Sequence, residues 1–216
     1  GDVRPSPGDR RRPALQGLSP AALLANVALT HGLFAGALVV GAWYFGIPAA
    51  AFGVAGTAAS TGLPALGLGL AFGLALWVAN EGSARLADAM GVGYDESLRE
   101  LLGPDTRSGW ALLLGVVLPI IAVGDQLMSR GALVGVPAAA FGTSPWLLAV
   151  ASSVAFALGH GAQGRAGILV TGLLGFVLAA GFVLTGSLLL VIVAHYVVNA
   201  MEFVVHEGVD PDWLPD

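Results

Sequence analysis

The chain has 216 residues, of which 56% are hydrophobic and only 11% charged, and its mean hydropathy is +0.82. These values lie far from those of a soluble domain and fit a membrane protein with length for about six crossings of ~20 apolar residues. Nine basic residues, all arginine, face 14 acidic ones for a net charge of -5, which gives a nucleic-acid partner no support; the absence of cysteine excludes disulfides, thiol catalysis and thiolate-bound metals.

In chain order, residues 1–20 carry Arg4, Arg10, Arg11 and Arg12 among prolines and read as a flexible basic arm. The run 21–47 is longer than the apolar core of a signal peptide and is expected as a retained first membrane helix. A Gly/Ala-rich turn region to about Gly62 precedes a second span, 63–78. The longest polar stretch, 81–109, reads as a loop, in which YDESLRELL (94–102) sets Leu98, Leu101 and Leu102 on one side as a short interfacial helix. A third span from about Trp110 contains Pro119, which should distort it, and carries Asp125 and Arg130. A fourth covers 145–160, a fifth 166–183 and a sixth 187–205, before an acidic tail, 206–216. The expected fold is all-α, a polytopic transmembrane helix bundle of about six spans forming one domain over 21–205. With six spans, the arm, the polar loop with Arg85, Arg99 and Arg107, and the link with Arg165 share one side, which the positive-inside rule makes cytoplasmic in a cell membrane.

Three polar clusters interrupt the apolar second half: Asp125-Gln126 with Arg130, Phe156 with His160, and His195 with Asn199. An ionisable group at membrane depth is retained mainly where it pairs, faces a cavity or performs chemistry, so three clusters point to one buried site. Asp125 lies about 22 Å along a helix from Trp110, too deep for a short side chain to reach water. On an α-helix Arg130 would sit about 140° round from Asp125, with Ser129 and not Arg130 one turn below it. A structural Asp–Arg or Gln–Arg contact would also account for this cluster, and an interfacial role for His160. His195, Asn199 and Glu202 occupy i, i+4 and i+7, one face of the last helix.

In order, DQLMSRG, FALGH and HYVVN resemble the E-E-x-x-x-R, F-x-x-x-H and H-x-x-x-N/D motifs of the CPBP intramembrane proteases, the family of the CAAX prenyl endopeptidases and bacteriocin-related, Abi-like membrane proteins. The resemblance covers about 110–205. It implies an intramembrane endopeptidase in which Asp125 activates water, His160 orients it, and His195 with Asn199 stabilises the oxyanion. Gln126 and Arg130 match the second glutamate and the arginine of the first motif; Phe156 and Glu202 are supporting candidates. The chain departs from the motif in having Asp for Glu at 125 and Gln for Glu at 126. The implied partners are the lipid bilayer and a peptide or protein substrate. No cofactor is implied, although two His, Asp125 and Glu202 are also donors that suit zinc; no H-E-x-x-H pattern accompanies them. Two other functions compete: an inactive relative acting as a membrane binding or immunity protein, and a transporter, which lacks the matched halves of an inverted repeat.

Overall fold

The computed structural model describes residues 20–89, 97–104, 106–160 and 164–208; most of the basic arm, Tyr94 and the tail from 209 onward lie outside the described residues. Every regular element among the described residues is helical. A chain in hydrocarbon must satisfy its backbone internally, and a helix does so within one segment. Among the described residues, five helices are long and apolar enough to cross a membrane: α1 (Pro20–Tyr44), α3 (Leu63–Ala89), the composite span Arg107–Phe141, α9 (Gly164–Thr185) and α10 (Leu188–His206). Leu33 of α1, Leu169 and Leu184 of α9, and Leu147 of the shorter α8 (Pro145–Gly159) point outward, as lipid-facing side chains should. The protein is thus an all-α polytopic membrane bundle.

Three expectations are corrected. The fourth span is only the 15-residue α8, about 22 Å long, so it falls short of a full crossing. The Gly/Ala-rich turn region is itself partly helical, with a 3-10 turn at Ala49–Phe52 and α2 at Ala58–Thr61. The second span does not stop near Val78, and 81–109 is not all loop. Helix α3 continues to Ala89 because its polar end finds partners on α10: Asn80 donates to Glu202 at 2.7 Å, and Glu81 pairs with His206 at 2.6 Å. Within the remaining polar stretch, α4 (Ser97–Leu102) forms a short helix whose Leu102 packs on a core of Leu24, Leu113, Val117 and Leu118.

The composite span holds the sequence's main surprise. It runs from α5 (Arg107–Leu112), N-capped by Thr106, through a π-helical stretch at Leu113–Val117, α6 (Leu118–Gln126) and a second π stretch at Leu127–Gly135, to α7 (Val136–Phe141). Each π stretch ends just before a proline, Pro119 or Pro137, whose missing N–H interrupts the α ladder. The distortion expected at Pro119 therefore takes the form of wider winding. In a π turn the bond closes i→i+5 instead of i→i+4, so a residue five positions on approaches the same face. Arg130 thereby turns inward, where it is fully buried.

Helix α10 is the bundle's axis. It meets α3 at Gly69 and Gly73, where a Cβ would come within 2.8 Å of Leu190 O and 2.7 Å of Ala194 O. Those two glycines let the backbones approach, as small residues do in membrane helix packing. Ser187 caps α10 by accepting from Leu190 N and donates to Ser60 O at 2.7 Å, fixing the start of the helix that carries His195.

Candidate active site

Asp125 ends α6 facing α10, nine-tenths or more buried. The His195 Nε2 atom lies 4.0 Å from its Oδ2. The neighbouring Gln126, fully buried, donates from Nε2 to His195 Nδ1 at 2.6 Å. A neutral imidazole that accepts at Nδ1 carries its proton at Nε2, so His195 presents an N–H toward Asp125. Gln126 Oε1 has no partner among the described residues.

The end of α8 supplies the second motif. His160 Nδ1 donates to Phe156 O at 2.8 Å, which leaves Nε2 of the neutral ring as an acceptor. The Phe156 ring stands 4.4 Å from the His160 ring and 6.1 Å, edge-on, from that of His195. Phe156 thus spaces two imidazoles of opposite polarity, an acceptor and a donor.

Arg130 closes the other side of Phe156, with its guanidinium 4.9 Å from the ring centroid. It donates to Ser129 Oγ and to Gly175 O on α9, while Ser129 donates to the Asp125 carbonyl. Ser152 of α8 donates to Ser129 O at 2.7 Å. Gly175 is needed there, since a Cβ would sit 3.1 Å from Phe156 and 3.4 Å from the guanidinium. Arg130 therefore binds the composite span, α8 and α9 into one frame around Asp125, and no ion pair between it and Asp125 is present among the described residues.

Two candidates stand apart. Asn199 is one turn beyond His195 on α10, half-buried and without a hydrogen bond among the described residues. Glu202, a further turn on, belongs to a different cluster at the bundle's end, with Asn80 at 2.7 Å, and Arg99 and His206 each at 3.6 Å. Its i+7 spacing put it on the His195 face, but α3 and α4 claim its carboxylate. Glu81, Glu202 and His206 bring one ligand atom each within 4.8 Å of one another, the spacing of a possible metal set; Arg85 and Arg99 already pair with those carboxylates.

Sequence reasoning missed one residue. His31 of α1 places Nε2 3.5 Å from Asp125 Oδ1, while its Nδ1 donates to Val27 O at 2.9 Å. The signal was available, since an ionisable side chain inside a 25-residue apolar helix meets the same criterion as the other clusters. It lies outside every motif.

Residues 107–201 match the family model described as type II CAAX prenyl endopeptidase Rce1-like. No curated protein and no solved structure matches the chain. The matched segment begins at α5 and ends just past Asn199, so it contains all three clusters, and over residues 107–201 the chain is similar to the Rce1-like domain of the CPBP family.

Proposed function

We propose that the protein is an intramembrane endopeptidase of the CPBP type, a hydrolase that cleaves a peptide bond with water activated by Asp125. One observation supports the reading: a buried carboxylate lies 4.0 Å from an imidazole donor at His195, and Phe156 packs against both that imidazole and the acceptor at His160. Asp125 takes a proton from water as its oxygen attacks the carbonyl carbon, and His160 Nε2 accepts that water's other hydrogen to orient it. The oxyanion then forms where His195 Nε2–H points, with Asn199 one turn away as a second donor. Asp125 returns its proton to the departing amine nitrogen. No metal or cofactor takes part. The bundle over 21–205 acts as one domain in the cell membrane with the arginine-rich N-terminal arm cytoplasmic, and the substrate is a membrane-associated peptide or protein.

The chain's own departures from the motif define the test. Asp125→Asn removes the proton acceptor and abolishes cleavage of a membrane-peptide library, while Asp125→Glu with Gln126→Glu raises it by restoring reach and charge. If neither the parent nor the doubly restored protein cleaves any peptide while both remain folded, the reading fails and a binding or immunity role replaces it.

A further inference from the structure

We infer that His31 and Asp125 form a proton-sharing pair, so that a histidine of α1, outside the Rce1-like segment, positions the carboxylate of the site; its catalytic consequence rests on the hydrolase reading above. The argument is one of hydrogens. His31 Nδ1 lies 2.9 Å from Val27 O, and a carbonyl only accepts, so Nδ1 carries a hydrogen. Nε2 of the neutral ring is then a bare lone pair, and it faces Asp125 Oδ1 at 3.5 Å. A carboxylate offers only lone pairs too. Two acceptors facing each other where Asp125 is 6% exposed repel, and a single proton held by the pair turns the contact attractive.

The approach is built into both helices. A Cβ on Gly124, next to Asp125, would lie 3.3 Å from His31 O and 3.4 Å from His31 Cβ, and one on Gly32 would meet Ile120 at 3.7 Å. A Cβ at 124 would require α1 to give by a few tenths of an ångström at the level of His31. The other charged or titratable groups around Asp125 are occupied otherwise. His195, on α10, is 4.0 Å away with its Nδ1 held by Gln126; Arg130, on the same span, is tied to Ser129 and Gly175; His160, on α8, donates to Phe156 O. Gln126 does not titrate. Among the described residues, His31 is thus the nearest titratable partner of the carboxylate.

During hydrolysis the pair alternates between one proton and two. Asp125 gains a proton from water as the hydroxyl bonds to the acyl carbon, and loses it to the amine nitrogen as the C–N bond breaks. No electron leaves or enters.

The test is histidine ¹⁵N NMR of the full chain in detergent micelles across pH, with each of the four rings assigned through its His→Gln variant. Asp125→Asn is expected to move the His31 Nε2 resonance, since the ring loses the carboxylate facing it, with the His206 resonances unmoved. An unchanged His31 Nε2 resonance, or an equal displacement at His206, overturns the pair. Peptide cleavage by the same preparations separates the two ideas: cleavage without coupling overturns the pair and spares the hydrolase, while coupling without cleavage does the reverse. For the positioning role, His31→Gln should displace the acid limb of the kcat profile with KM within about twofold, and an unmoved limb overturns that role.

Discussion

Gln126→Leu tests the geometry of His195 most directly. The substitution keeps most of the side-chain volume at a position with no exposure but deletes the 2.6 Å donor to His195 Nδ1. Two consequences follow with different magnitudes. The buried Nδ1 loses its partner, which costs about 1–3 kcal/mol of stability. The proton is also no longer held at Nε2, so the site loses an aimed oxyanion donor; removal of one such donor costs about 10²–10³ in kcat. Because that donor acts on charge that develops during the reaction, KM should change little. Steady-state cleavage of a fluorogenic membrane peptide, alongside thermal unfolding in the same detergent, reads both effects. A Gln126→Leu protein with kcat within about threefold of the parent refutes the tautomer argument, whatever its stability.

Arg130→Met should be destabilising, by about 1–3 kcal/mol, because Gly175 O and Ser129 lose a buried donor; denaturant unfolding reads the loss, and no measurable shift would contradict the framing role of Arg130. Gly73→Val places a branched side chain where a Cβ already meets Ala194 O at 2.7 Å, so α10 must shift beside His195. The expected outcome is about 1–3 kcal/mol lost by thermal unfolding and, for a displacement near 1 Å, cleavage slower by about 100-fold. Strong chelators should leave cleavage and thermal stability unchanged, and a loss of either that added zinc restores would place a metal in the mechanism.

The helical membrane character could be read from composition because it depends on one local quantity, the length of uninterrupted apolar sequence against the thickness of a bilayer. The three clusters were equally legible, since a polar side chain among LLLVIVA or FAL residues is expensive wherever the helices go. What the sequence hid depended on partners distant in the chain. Helix α3 outlasts its apolar run because Glu202 and His206, more than a hundred residues away, receive its polar end. That same pairing draws Glu202 away from the face its spacing suggested. The turn of Arg130 into the frame follows from a π winding that α-helical periodicity does not anticipate, imposed by Pro137 downstream. His31 reaches Asp125 only because α1 crosses α6 where glycine leaves room, a contact between residues some ninety positions apart. Local chemistry set which side chains are costly to bury; the packing of one helix on another decided which of them share that cost.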